Sequence, residues 1–170
     1  MTAPERGKAL FPASFDPVTN GHLDLIHRVR RVFPELVVAV ARNIGKSGTF
    51  SIDERLDMMQ SALGDLPGVG VTAFDGLVVD FAHQIGAGVI IRGLRANADF
   101  EYEFEMALMN RHMKPEIETL FLMTSQAYFY VSSSRLKELV HFGADVSEWV
   151  PPVVAKYLRE KLGRAAPAGA

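Results

Sequence analysis

Short apolar runs alternate with amphipathic stretches along the whole chain. Ala9-Leu10-Phe11 predicts a first strand, and Leu23, Ile26, Val29 and Phe33 then recur at helical spacing. Residues 36–41 form a continuous apolar run, the pattern of a strand buried on both faces. Ser51-Ile52-Asp53-Glu54 has capping-box spacing and opens a second helix carrying Leu56, Met59 and Leu63. A third strand follows at 69–74, a short helix at 79–85, and a fourth strand at 88–91 that Arg92-Gly93 ends. A charged helix from Asp99 to about Met113 places Phe100, Phe104, Ala107 and Leu108 on one stripe, and residues 119–123 make a fifth strand. Ser132-Ser133-Ser134 caps a helix that stops at Gly143, and Pro151-Pro152 suits the first turn of a last one running to Leu162.

Parallel neighbours need crossovers, and helices between all the strands supply them. The expected fold is therefore α/β: a single-domain, Rossmann-like, doubly wound five-stranded parallel sheet with C-terminal helices. Residues 1–162 make the domain, and 163–170 a disordered tail.

The composition narrows the chemistry. A chain of 170 residues, 48% apolar and 22% charged, is the size of one domain with a true core. It has no cysteine, which excludes disulfides, thiolate catalysis and Cys-type zinc sites. A net charge of −2 argues against non-specific binding to nucleic acid. The N-terminus lacks the apolar core of a signal peptide, and no apolar run reaches the roughly 18 residues of a membrane span, so a soluble, cytoplasmic protein is expected.

In an open α/β sheet, ligands bind beyond the carboxyl ends of the strands. Four such segments carry phosphate-binding groups. After strand one, Gly21 can bring backbone close to a phosphate, and His22 opens a helix whose N-terminus favours anions. By itself this pair is better read as a turn and a surface histidine. After strand two, Lys46 stands in the Gly-rich loop Asn43-Ile44-Gly45-Lys46-Ser47-Gly48. After strand four, Arg92-Gly93-Leu94-Arg95 offers two guanidinium groups. After strand five, residues 125–134 supply hydroxyls, the rings of Tyr128, Phe129 and Tyr130, and open amides at a helix start. The acidic run Asp99, Glu101, Glu103 and Glu105 reads as dipole complement and solvated face, the methionines as core or subunit-contact filler, and Trp149 as packing. The coincidence of four segments favours a phosphate-rich ligand.

These residues resemble the phosphopantetheine adenylyltransferases, of the nucleotidyltransferase superfamily with a His- or Thr-x-Gly-His motif. The motif here is Thr19-Asn20-Gly21-His22, and the resemblance spans about residues 8–162. It includes Ser14-Phe15-Asp16-Pro17, Ile91-Arg92-Gly93-Leu94-Arg95, Asp99-Phe100-Glu101-Tyr102-Glu103, Met109-Asn110-Arg111-His112 and Ser132-Ser133-Ser134. It implies transfer of an adenylyl group from ATP to 4′-phosphopantetheine, giving dephospho-coenzyme A and pyrophosphate. It further implies His22 as the transition-state group. ATP contacts would come from Ser14, Phe15, His22, Gly93, Leu94, Arg95, Glu103 and the loop Tyr128, Phe129, Tyr130, Val131, Ser132, Ser133, Ser134. Acceptor contacts would come from Ser14, Lys46, Val78 and Arg92.

Mg²⁺ is expected to arrive with ATP, with no protein metal ligand, and the family implies a homohexamer with coenzyme A as a feedback ligand. Ala13-Ser14 stands where many members have Gly-Thr, so the added methyl at Ala13 can restrict backbone approach. Phe129 replaces a small polar residue of some members. Three other readings share parts of these motifs: a sibling enzyme with nicotinamide mononucleotide or glycerol phosphate as acceptor, a non-catalytic nucleotide sensor, and a fragment of a class I aminoacyl-tRNA synthetase. The last lacks its Lys-x-x-x-Lys-type signature.

Overall fold

The computed structural model describes residues 5–42, 48–95 and 97–163. Lys46 and residues 164–170 of the expected tail lie outside them. In chain order the elements are β1 (Glu5–Ala13), α1 (Asn20–Arg30), β2 (Glu35–Ala41), α2 (Ile52–Leu63), β3 (Val69–Phe74), α3 (Val78–Gln84), β4 (Ala87–Leu94), α4 (Asn97–Met113), β5 (Glu118–Met123), a single 3₁₀ turn (Gln126–Tyr128), α5 (Ser133–His141) and α6 (Pro152–Leu162).

The five strands form one parallel sheet in the order β3-β2-β1-β4-β5. Side chains of one strand alternate between two cores. Leu36, Val38 and Val40 face the core that α1, α2, α5 and α6 cover, while Val37, Ala39 and Ala41 face the one beneath α3. Both faces need apolar residues, which is why β2 reads as an unbroken apolar run. Each fully buried Leu or Ile, such as Leu10, Ile26 or Ile90, contributes about 1.5–3 kcal/mol.

One expectation needs correction. Arg92-Gly93 does not end β4: the strand continues to Leu94, because β5 pairs with it residue for residue as far as Leu94 with Met123. The helical stripe Phe100, Phe104 and Leu108 lies at the surface. These residues are 47%, 46% and 52% exposed, and on the edge strand β5 Leu120 and Met123 are exposed as well. The methionines divide, with Met58 and Met59 in the core and Met109, Met113 and Met123 exposed.

The turn into β3 depends on a glycine. Gly68 has φ +74°, and a Cβ there would lie 2.5 Å from the Pro34 carbonyl oxygen. Its own carbonyl accepts from the Leu36 amide at 2.9 Å, which ties β2 to this turn. Gly68→Ala is expected to destabilise the domain by about 2 kcal/mol. Gly70→Ala, whose added methyl meets nothing, serves as the control. Equal melting temperatures for the two variants would refute the assignment.

Candidate active site

Strand order reverses between β1 and β4: β2 and β3 extend the sheet on one side, β5 on the other. A cavity of about 290 Å³ opens at their carboxyl ends, the place where ligands bind in such sheets. Its walls include Ser14, His22, Arg92, Gly93, Arg95, Glu103, Tyr128 and Val131 to Ser134, which joins three of the four sequence segments.

The motif Thr19-Asn20-Gly21-His22 is a helix cap. The Thr19 hydroxyl accepts from the His22 amide at 3.3 Å, and the Thr19 amide donates to His22 Nδ1 at 3.1 Å. This is a capping box in which an imidazole replaces the usual Glu or Gln at the third helical position. The cap fixes the tautomer: Nδ1 accepts, so the hydrogen the ring can offer a ligand is on Nε2. Gly21 is buried, and a Cβ there would stand 3.1 Å from the Tyr128 side chain, so glycine lets the 3₁₀ turn close over the start of α1.

The His22 ring lies edge-to-face on Phe15 at 5.0 Å, and Phe15 on Phe11 at 5.6 Å. Phe15 is fully buried and has φ +45°, a left-handed conformation that costs on the order of 1 kcal/mol and persists only where neighbours enforce it. Its ring therefore supports His22 from behind and does not line the cavity; any ligand contact here must use backbone.

Burial, and then the positive charge of Arg95, lower the His22 pKa from 6.5 to about 4. The imidazole is neutral at physiological pH. Protonation favours the unfolded chain, so stability is full above pH 6.5 and declines as pH falls toward 4. The loss is at most about 3 kcal/mol, because the half-buried ring still meets solvent on its cavity side. Urea unfolding of wild type and His22→Gln between pH 7 and pH 4 should show a steeper decline for wild type; parallel curves would contradict this.

Arg92 and Glu103 meet as a bidentate pair, Nε to Oε2 at 2.6 Å and Nη2 to Oε1 at 2.5 Å, and Arg92 Nη1 donates to the Pro12 carbonyl at 2.8 Å. Glu103 is the acid that leaves the solvated face: its side chain is 12% exposed, while Glu101 and Glu105 are exposed. Arg95 Nη1 donates to the Val131 carbonyl at 3.3 Å. Ser132 caps α5 by accepting from the Arg135 amide, and Ser133 Oγ donates to the Pro17 carbonyl at 2.7 Å. Phe129 and Tyr130 stand outside the cavity lining, both exposed, with Tyr130 edge-on to Trp149.

Two further clefts adjoin the cavity. One, of about 540 Å³, shares Pro12, Ala13, Ser14, Arg92 and Glu103 with it and continues over Leu77, Val78, Met106, Met109 and Asn110. The other, of about 570 Å³, shares Ser14, Ser133 and Ser134 and adds Asp16, Arg42, Arg55 and Lys137. Ser14 borders all three. Sequence reasoning missed Arg42, Arg55 and Lys137, and gave Asp16 and Asn110 no role of their own. Arg55 had a signal: it falls four residues after the cap Ser51, in register with Met58 and Met59 on the buried face of α2.

The match to a cytidylyltransferase-like family model covers residues 10–139. Relatives named phosphopantetheine adenylyltransferase align over nearly the whole chain. That of Desulfosudis oleivorans is 52% identical over 155 residues, 91% of this chain and 92% of its own. Those of Staphylococcus carnosus and Thiobacillus denitrificans are 47% identical over 157 residues and 49% over 154, covering 92% and 91% of this chain and 98% and 96% of their own. With a cavity at the switch point of a five-stranded parallel sheet, the chain belongs to the phosphopantetheine adenylyltransferase family of nucleotidyltransferases.

Proposed function

We propose that this chain transfers the adenylyl group of ATP to 4′-phosphopantetheine, giving dephospho-coenzyme A and pyrophosphate, the penultimate step of coenzyme A synthesis. The observation that carries this reading is the junction of two unlike clefts at Ser14, Arg92 and Glu103. One is walled by His22, Arg95 and the serines at the start of α5, which suits a triphosphate. The other begins at Arg92 and runs over Val78, Met106 and Met109 to the buried Asn110, which suits a phosphate on a long uncharged arm.

A phosphate oxygen of the acceptor attacks the α-phosphorus of ATP in line, and the bond to the bridging oxygen breaks as pyrophosphate leaves with the electron pair. The nucleophile is already an anion, so no base is required. Arg92 has three of its five N–H groups held by Glu103 and Pro12, which fixes the guanidinium and leaves two for the acceptor phosphate. The His22 Nε2–H donates to the charge that develops at the reacting phosphate, with Arg95 and Lys46 as further cations. Glu103, the acid of the cavity, is already committed to Arg92, so the lining suits phosphate oxygens, and Mg²⁺ fits as the companion of ATP. When bound there it neutralises phosphate charge.

Pyrophosphate release, measured with ATP, Mg²⁺ and in turn 4′-phosphopantetheine, nicotinamide mononucleotide and glycerol phosphate, tests the reading. Turnover is expected with the first alone. Turnover with another, or ATP binding with no product from any, would replace it with a sibling enzyme or a sensor.

The exposed stripe of α4 and β5 supports self-association, and a homohexamer is the assembly proposed; light scattering reads its mass. Coenzyme A, the product with one more phosphate, is the proposed feedback ligand, and the cytoplasm the proposed location. Among the described residues no helix is long and apolar enough to cross a membrane.

A further inference from the structure

Beside the site, three charged side chains hold one another without lining the cavity in which ATP is placed. Asp16 is buried, and its carboxylate accepts from the Thr49 amide at 3.0 Å, the Phe50 amide at 2.8 Å and Lys137 Nζ at 2.7 Å. Arg55, also buried, lies 3.4 Å from the same carboxylate, donates from Nε to the Phe50 carbonyl at 2.7 Å and from Nη1 to the Ser14 carbonyl at 3.3 Å.

Residues 14–17 are thereby fastened at three points. Arg55 of α2 holds the Ser14 carbonyl, Lys137 of α5 holds the Asp16 carboxylate, and Ser133 of α5 holds the Pro17 carbonyl. Between the first two anchors lies Phe15, left-handed and seated under His22. The fastened parts are those that must meet: Ser14 at the junction of all three clefts, and Ser133 and Ser134 on the wall of the nucleotide cavity.

We propose that Lys137, Asp16 and Arg55 are positioning residues that set the register of the loop at Ser14 against the start of α5. Through it they set the alignment of the acceptor phosphate with the phosphates of ATP. The inference rests on the adenylyl-transfer reading. An in-line displacement is sensitive to alignment, and a displacement of about 1 Å can cost as much as a hundredfold in rate. Each substrate would keep its own half of the site when the clamp loosens, so the loss falls on turnover rather than on binding.

The experiment compares Lys137→Met with Lys137→Arg in the full chain, using 4′-phosphopantetheine and ATP, with melting temperature and circular dichroism recorded for both. Lys137 is half-buried and Asp16 keeps two amides and Arg55, so the methionine variant is expected to fold. Its kcat should fall at least fivefold with KM for both substrates within threefold of wild type, and arginine should restore kcat to within threefold. A folded methionine variant with less than a fivefold loss of kcat, or with the loss in KM, overturns the proposal. Should that variant not fold, Arg55→Lys is judged by the same criteria. Failure of the wild type itself to form dephospho-coenzyme A would instead sink the functional reading.

Discussion

His22→Ala is expected to reduce kcat at least a hundredfold, equivalent to about 2.7 kcal/mol of transition-state stabilisation, with KM for ATP changed far less. The magnitude follows from geometry. Nδ1 is committed to the Thr19 amide, so the ring can present a hydrogen only from Nε2, and the cap and the Phe15 ring hold it in place before substrate arrives. A donor that needs no reorganisation is worth more in the transition state than one that must be ordered. Because the ring stays neutral down to about pH 4, activity should show no inflection near pH 6.5 belonging to this group. A loss of less than about tenfold, or ~1.4 kcal/mol, would mean another group carries the charge. The same variant also loses the reciprocal cap, so a stability decrease of about 1 kcal/mol should accompany the kinetic one without explaining it.

The sheet was legible because its signal is local: apolar runs flanked by amphipathic helices allow little but a parallel sheet between two helical layers, and the strands lie close to where the pattern puts them. The end of β4 was not, because pairing with β5 carries the strand through Arg92-Gly93, and those residues alone read as a break. Motifs at strand ends located the cavity, since the sheet brings those ends together regardless of their separation in sequence. They could not foresee that His22 caps its own helix, or that Arg92 is held by Glu103, eleven residues ahead. Both depend on side-chain geometry that spacing does not determine. The stripe of Phe100, Phe104 and Leu108 has helical periodicity, and periodicity identifies an apolar face without saying which surface covers it. Arg55 and Lys137 escaped notice for the opposite reason: cations on helices are ordinarily solvated, and only the burial of Asp16 gives these two a task.

Asp16→Ala is expected to destabilise the domain by about 3–5 kcal/mol, the cost of breaking a buried ion pair on one side. Arg55 would stay buried with its Asp16 partner gone, and the Thr49 and Phe50 amides and Lys137 would lose an acceptor. The pH dependence separates this from a simple packing defect. Burial works against ionisation of Asp16, yet the hydrogen bond from Lys137 and those from the Phe50 and Thr49 amides outweigh it and hold the carboxyl below its ordinary 3.8. A depressed carboxyl stabilises the fold above the unfolded value and ceases to do so as pH falls through the folded one. Wild type and Asp16→Ala should therefore differ most near neutrality, and the gap between their unfolding free energies should narrow as pH falls below 3.8. Denaturant titrations at pH 7 and pH 3 measure the gap directly; a gap equally wide at both would assign the loss to shape rather than to charge.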